Sequence, residues 1–588
     1  MHHRGPDAYG ETAKELPNGR HLHLLHTRLA IIDLDPRSNQ PFECGPGILC
    51  YNGEIYNYKE LQAELKAVGE DLRAAGDTEV LARMLAREGR GALSRCEGMW
   101  AFAWYDARRD ELLLSRDRFG EKPLYIWRRK EGIYFASEPK FLFALAGERP
   151  RVNVQHLRRY LVNGYKSLYK TAETFFEGVD ELPGGSCAVV DGEGRYRVSS
   201  FWKPSFPRPD ESMTYEEAVA GARERLMRSV DIRLRADVPI AFCLSGGVDS
   251  NALIAIAKRE LGYDVHGFTI MNSDQRYEER EMVETSVRAL GLRHTAIPVE
   301  TRDFLPNLRA LVRMHDAPVF TITYYAHWRL MEAIRDGGYK VSVSGTAADE
   351  LFSGYFDHHN AYLAAMAQED GRRHTAALNE WREQVAPMVR NPFLQNPDYF
   401  RQHPDCRDHI YLDADEFSNF LVSPFQEGFT EENYTEPLLR NRMANELFHE
   451  SVPVILHEDD LNAMSFSIEN RSPYLDTDLF DWCQQIPTRH LVRQGRAKAV
   501  LRDAVRGIAP DAIIDNPRKV GFNAPILDYL DLSDSGVRDE LMADSPVFDL
   551  IRRDRIEELI CMDSLPNSRS KFLFNFVNAK MFLEEFAA

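Results

Sequence analysis

Cysteine is scarce and scattered: eight residues among 588, with no C-x-x-C pair and no zinc-like spacing. That excludes a disulfide scaffold and a thiolate metal cluster. Basic residues are in deficit. Lys and Arg number 72 against 91 Asp and Glu, a formal charge of −19. General binding to nucleic acid or to an anionic membrane is therefore not expected, although local basic pockets are allowed. No apolar run approaches the length of a bilayer span. The first residues, Met1-His2-His3-Arg4-Gly5-Pro6, lack the apolar core of a signal peptide, so a reducing cytoplasm is the expected location. Internal repeats and low-complexity tracts are absent. So is G-x-x-x-x-G-K-[ST], which excludes a Walker A phosphate loop. What remains is a chain with 44% apolar residues, long enough for roughly two to four domains with a large core.

The most informative stretch present is Phe242-Cys243-Leu244-Ser245-Gly246-Gly247-Val248-Asp249-Ser250, directly after the apolar residues 238–241. A buried strand would deliver the chain into a Ser/Gly turn, and a helix would start at once through Asn251-Ala252-Leu253-Ile254. Gly246 and Gly247 permit close backbone approach to a ligand. The N–H groups of the turn and the helix start would converge on an anion, with Ser245 and Ser250 adding hydroxyl donors. Asp249 would repel a phosphate unless a divalent cation lay between them. The S-G-G-x-D-S pattern resembles the pyrophosphate loop of ATP pyrophosphatases, which make acyl-adenylates.

Residues 1–200 read as short strands and a few helices. Strands are expected over 23–32, 47–51, 98–105, 112–116, 124–127 and 132–136, and helices over 58–68 and 78–87. Layered sheets with covering helices fit this order. Six motifs occur along it: His3-Arg4-Gly5-Pro6-Asp7, Arg28-Leu29-Ala30-Ile31, Asn52-Gly53-Glu54-Ile55-Tyr56-Asn57, Asp77-Thr78-Glu79, Gly98-Met99-Trp100-Ala101-Phe102, and the run from Arg116-Asp117-Arg118-Phe119-Gly120 to Tyr125. They resemble class II glutamine amidotransferase domains. With the pyrophosphate loop, nearly the whole chain resembles glutamine-hydrolysing asparagine synthetases.

The resemblance implies hydrolysis of the glutamine side-chain amide. Arg28 would grip the glutamine α-carboxylate. Glu54 and Asp77 would hold its α-ammonium, and Asn52 with the Gly53 N–H would form the oxyanion hole. In that family a Cys directly after the initiator Met is the nucleophile, with its own α-amine as base. Here the Cys residues are at 44, 50, 96, 187, 243, 406, 483 and 561, none at position 2. Cys50 reads as strand packing. The resemblance therefore implies either that a first strand and the nucleophile precede this chain as written or that the protein does not hydrolyse glutamine; as written, the chain would use free ammonia.

Residues 201–211 (FWKPSFPRPDE) read as a Pro-rich linker. Thr214 and Glu217 then form a capping box. Beyond it, strands expected over 238–244, 265–271, 295–299 and 340–344 alternate with helices over 250–261, 279–290 and parts of 303–336. That order gives a parallel doubly wound sheet with ligands at the carboxyl ends of its strands. By resemblance, ATP lies there. Backbone at Cys243, Leu244 and Ile270 would frame the adenine, Ser344 and Gly345 its other side, and Ser245, Gly246, Gly247, Asp249 and Ser250 the phosphates.

The segment Ser344-Gly345-Thr346-Ala347-Ala348-Asp349-Glu350-Leu351-Phe352-Ser353-Gly354-Tyr355 resembles the family signature S-G-E-G-x-D-E-L-F-x-G-Y. It implies that Asp349 joins Asp249 on Mg²⁺. Thr346 stands where the family has Glu, and Ala347 where it has Gly. That Glu is linked with adenylate formation and nitrogen attack, and Thr cannot serve as a carboxylate base. A changed acceptor is the expectation that follows. The run from Glu458-Asp459-Asp460 to Asp476 resembles another family segment and reads as a packed, ion-paired floor through Asp460, Glu469 and Arg471. Arg518-Lys519-Val520-Gly521-Phe522 resembles a loop whose Lys519 would neutralise charge on the α-phosphate and departing pyrophosphate. Lys498 is a weaker phosphate candidate. The aromatic- and His-rich region 356–445 fits either an acceptor pocket or an oligomer contact.

The expected fold class is α/β: an Ntn-type αββα glutaminase layer fold over 1–203, then an ATP-pyrophosphatase domain with added helices over 204–588. The resemblance implies a ligase that uses ATP and Mg²⁺, with glutamine or ammonia and a small carboxylate as partners. The acceptor is aspartate or another acid, such as a sugar acid of surface-polysaccharide synthesis. Intramolecular closure of a β-lactam or peptide ring is the alternative. A homodimer is compatible; nucleic acid and membrane are not expected partners.

Overall fold

The computed structural model describes residues 1–271, 279–298, 301–517, 526–562 and 565–587. Eleven strands lie within the first two hundred residues or so: β1 (Ala8–Glu15), β2 (His21–Arg28), β3 (Phe42–Cys44), β4 (Gly47–Ile55), β5 (Gly98–Asp106), β6 (Glu111–Arg116), β7 (Tyr125–Arg128), β8 (Ile133–Ala136), β9 (Val179–Glu181), β10 (Ser186–Val190) and β11 (Tyr196–Ser200). Six form an antiparallel sheet in the order β11-β10-β6-β5-β4-β3, while β1-β2 and β8-β7-β9 form smaller sheets. Alternation along β5 sorts its side chains. Trp100, Phe102 and Trp104 pack under the helices Tyr58–Ala67 and Asp77–Glu88, and Ala101, Ala103 and Tyr105 face Leu22, Leu24, Leu124 and Ile126 of the smaller sheets. The helix Pro139–Ala146 covers β7 and β8 from outside. The layer order is αββα, as expected.

Five parallel strands make the second sheet: β12 (Ile240–Cys243), β13 (His266–Met271), β14 (Arg293–Pro298), β15 (Val341–Val343) and β16 (Glu469–Arg471). Their order is β14-β13-β12-β15-β16. The chain enters at the centre, winds outward through β13 and β14, and returns to the other side of β12 at β15. The turn after β12 and the turn after β15 therefore leave neighbouring strands in opposite directions. A crevice opens between them at the carboxyl edge. The expected helix over 250–261 begins earlier, at Val248, and is α-helical to Ala255 before a wider turn over Ile256–Glu260. Seven of the eight residues in Val248–Ala255 are buried; Asp249 is the one that is not.

The capping box forms. Thr214 Oγ1 accepts from the Glu217 N–H at 3.2 Å, and Glu217 Oε2 accepts from the Thr214 N–H at 2.8 Å. The Pro-rich stretch 201–211 is not a free tether. Phe201 stacks on Trp100 at 5.8 Å, and Trp202 packs on Phe119 and Phe480. A further core joins distant parts of the chain: the C-terminal helix Asn567–Phe586 packs on Phe304–His315 and on Val154–Asn163. Among the described residues, no helix is long and apolar enough to cross a membrane.

Candidate functional site

The turn after β12 is held by its own side chains. Ser245 Oγ lies 3.0 Å from Ser250 Oγ and accepts from the Gly247 N–H at 3.2 Å. Asn251, fully buried, donates to the carbonyls of Ser245 (2.9 Å) and Gly247 (2.7 Å). This leaves Gly246, Gly247 and Ser250 arranged around the start of Val248–Ala255, with the positive end of that helix toward the crevice. Cys243 ends β12, its thiol pushed up to about 12 by burial. The Leu244 N–H is committed to the Phe268 carbonyl (2.9 Å), and the Leu244 carbonyl accepts from Thr269 Oγ1 (2.7 Å). Ile270 lies in β13 and packs among Phe268, Met331 and Ile334. The structure thus brings Cys243 to Ser250 together, while Ile270 sits one strand away.

Two helix starts deliver carboxylates to one cation. Lys498 Nζ donates to both oxygens of Asp249, at 2.7 and 2.8 Å, and lies 2.7 Å from Asp349 Oδ1. Burial opposes the charge on Lys498, but the two carboxylates outweigh it and raise the ammonium above its ordinary value. The carboxylates keep open faces, with side-chain exposures of 24% for Asp249 and 19% for Asp349 against 7% for Lys498. Gly354 is required here by space: a Cβ on it would stand 1.6 Å from Asp349 Oδ1 and 2.3 Å from Lys498 Cε. Glu350 is buried and accepts from Tyr355 Oη at 2.6 Å; burial, with Asp349 alongside, pushes it up to about 7. An Asp pair with open faces beside a lysine suits Mg²⁺, which binds through one or two carboxylates plus phosphate oxygens.

Thr346 stands on the β15 side of the crevice. Its Oγ1 is 3.0 Å from Ser344 Oγ and donates toward Asp459 Oδ2 at 3.4 Å. Asn470 Nδ2 donates to Ser344 Oγ (3.0 Å) and toward the same Asp459 oxygen (3.4 Å). Gly345 abuts Asp249 and the Ser250 N–H, which ties this cluster to the nucleotide turn. Ala347 takes φ +76°, the left-handed region that favours Gly.

The N-terminal candidates line a separate cavity of about 1280 Å³. Asn52, Gly53, Glu54, Arg28 and Asp77 all border it, joined by Glu469 and Met464 from the far half of the chain. Asn52 Nδ2 is buried and makes no hydrogen bond, a donor aimed at nothing in the protein itself. Gly53 has φ +145°, and a Cβ there would meet the Met99 carbonyl at 2.1 Å. Asp77 Oδ2 accepts from Tyr51 Oη (2.8 Å) and the Ile55 N–H (2.9 Å). Burial raises Asp77, and burial with Asp77 and Glu469 nearby raises Glu54 well above the carboxylate range. The Arg28 guanidinium is occupied differently from the expectation. It donates to the carbonyls of Ile32, Asp33 and Asp35 and to Asn39 Oδ1, and so pins the 32–39 loop. Cys50 donates to the Leu25 carbonyl at 3.6 Å, and burial pushes its thiol to about 12, as a packing role requires.

Lys519 lies outside the described residues. Lys498, ranked below it from sequence, is the lysine that meets both aspartates. Three further groups were not singled out as site residues: Asp459, Asn470 and Tyr474, whose Oη donates to the Asp249 carbonyl at 3.0 Å. One signal was available. Glu458-Asp459-Asp460 puts three consecutive acids, all buried, on the largely apolar helix Val452–Met464.

Comparison with known proteins places these two sites in context. A family model described as asparagine synthase matches residues 221–584, and one described as a glutamine amidotransferase domain matches residues 1–202. Asparagine synthetase [glutamine-hydrolyzing] 1 of Bacillus subtilis is 26% identical over 585 residues, covering 96% of this chain and 90% of that protein. Asparagine synthetase [glutamine-hydrolyzing] 3 of the same organism is 26% identical over 544 residues, covering 87% and 81%. Amidase chry2 of Gibberella zeae is 27% identical over 583 residues, covering 88% and 83%. With its larger match spanning more than half of the residues and a glutamine amidotransferase domain ahead of it, this chain belongs to the asparagine synthase family of enzymes.

Proposed function

We propose that this chain is an ATP-dependent amide ligase that activates a carboxylate as acyl-AMP, releases pyrophosphate, and amidates the acyl group with free ammonia or, given the nucleophile that residues 1–588 do not supply, with ammonia drawn from glutamine. Residues 1–203 cradle glutamine and residues 204–588 carry out activation and amidation. The observation that carries the reading is the meeting of Asp249 and Asp349 on Lys498 at the mouth of the β12 turn. Asp249 and Asp349 would hold Mg²⁺, which would supply charge neutralisation to the triphosphate. Lys498 stabilises the charge that grows on the departing pyrophosphate. Ser245, Gly246, Gly247 and Ser250 orient the phosphates, and Cys243, Leu244, Ile270, Ser344 and Gly345 flank the nucleoside. Asn52 Nδ2 and the Gly53 N–H receive the oxyanion of the glutamine amide, with Glu54, Asp77 and Arg28 around the substrate backbone.

Two of the compared relatives are named asparagine synthetases and one an amidase. That majority points to aspartate as the acceptor. Thr346, which brings no carboxylate of its own, favours a different acid. The test supplies ATP, Mg²⁺, ammonium and a panel of aspartate, glutamate, uronic acids and β-amino acids, and follows pyrophosphate and amide. Pyrophosphate release with aspartate is expected to be slow beside that with the preferred acid. Brisk turnover with aspartate at ordinary concentration identifies it as the acceptor and removes the second reading.

A further inference from the structure

The crevice contains a carboxylate that the pyrophosphate chemistry leaves unused. Asp459 is 7% exposed, on a helix that ends against β16. Its Oδ2 faces Thr346 Oγ1 and Asn470 Nδ2, both at 3.4 Å, and its Oδ1 is 3.6 Å from His327 Nδ1. The titratable groups around it are Glu458 and Asp460 on its own helix, Cys243 of β12, and Tyr324 and His327 of the helix Ile322–Asp336. None supplies a counter-charge: burial lowers His327 to about 4, so its ring is neutral near pH 7. Among the described residues no Lys or Arg pairs with Asp459. Buried carboxylates are ordinarily paired or fully hydrogen-bonded. This one has only neutral donors, one of which is the Thr that stands where the signature segment would bring a carboxylate.

We propose that Asp459, reaching the crevice beside Thr346, is the proton acceptor for the attacking nitrogen. The step rests on the ligase reading above. Ammonia forms the new C–N bond at the acyl carbon, the acyl C–O bond to AMP breaks, and AMP leaves with that electron pair. The proton lost from nitrogen goes to Asp459 Oδ2. Thr346 Oγ1 and Asn470 Nδ2 fix the orientation of the carboxylate. Burial first, and then Glu458, push Asp459 up to about 8, so its basic form appears as pH rises through that value. A base with such a value accepts a proton from a nitrogen nucleophile far better than an ordinary carboxylate does.

The test separates the two half-reactions, using the panel acid that supports the fastest pyrophosphate release. Asp459→Asn is expected to keep first-turnover pyrophosphate release within about 3-fold while amide formation from ammonium falls about 100-fold or more. At constant free-ammonia concentration, the rise of amide formation with pH through about 8 disappears in the variant, and Asp459→Glu restores part of it. Near-normal amidation by Asp459→Asn, or an equal fall in both half-reactions, overturns the proposal. Absence of pyrophosphate release by the unaltered protein with every acid instead defeats the ligase reading. An infrared titration needs no acceptor: a protonated-carboxyl band lost in Asp459→Asn is expected to titrate near 8. A midpoint in the ordinary carboxylate range overturns the proposal.

Discussion

Asp249, Asp349 and Lys498 illustrate how single residues come together in a way that their immediate neighbours in sequence do not disclose. Asp249 was legible because strand, glycine turn and helix are local and contiguous. Lys498 was only weakly so, because its partners lie 249 and 149 positions away and the glycine that makes room for it, Gly354, belongs to another loop. Arg28 shows the reverse. Its motif is intact, yet its guanidinium is taken by the carbonyls of a loop only four to seven residues ahead. Asn52, by contrast, keeps a buried free donor where the motif implies one. Ala347 carries a measurable cost at this scale. An L-residue in the left-handed region is strained by roughly 1–2 kcal/mol. Ala347→Gly should therefore raise the denaturant midpoint, by about 1 kcal/mol of stability. An unchanged or lowered midpoint would show that the turn is not strained.

At the scale of elements, strands with continuous apolar character lie close to their expected ends, as β5 and β13 show, whereas β4 runs four residues past its expected end through the Asn52-Gly53-Glu54 motif. No strand was expected at β16. Glu469-Asn470-Arg471 has no apolar residue, and its place in the sheet is set by pairing with β15, more than 120 residues earlier. Glu469 and Arg471 are buried and Asn470 half-buried, each with a partner at the junction of the two halves: Arg471 with Glu469 (2.9 Å) and Glu54 (3.6 Å), Asn470 with Ser344. The helix Tyr215–Arg233 is the opposite case, since its start is written in four consecutive residues. Thr214→Ala removes one cap bond and should cost about 1 kcal/mol, lowering Tm by a few degrees while pyrophosphate release is unchanged. Loss of activity without loss of Tm would mean that this helix start has a role in the site.

The whole molecule is joined by cations of the N-terminal half seated on carboxylates of one helical stretch. Arg4 and Lys122 meet Asp460 at 2.8 and 3.3 Å, Lys166 meets Glu446 at 3.3 Å, and Lys170 meets Glu450 at 2.7 Å. Burial would raise Glu450, but Arg442, Lys166 and Lys170 hold it down at about 2. Its folded value is depressed below the unfolded one of about 4.3, so its contribution is complete above that pH and is lost as pH falls toward 2. Denaturant unfolding at stepped pH should show a loss of stability over this window. Glu450→Gln should be less stable near pH 7 and lose less on acidification; equal slopes would exclude a part for Glu450. The same junction places Asp460, next to Asp459, against the amidotransferase half through Arg4 and Lys122. What the joined halves are built to do is read most directly from the nucleotide products. With Mg²⁺, ammonium and the preferred acid, the protein should convert ATP to equal amounts of AMP and pyrophosphate, and Asp249→Ala and Asp349→Ala should each lower that rate about 100-fold or more. Formation of ADP and phosphate, or AMP formation undiminished by either substitution, would contradict it.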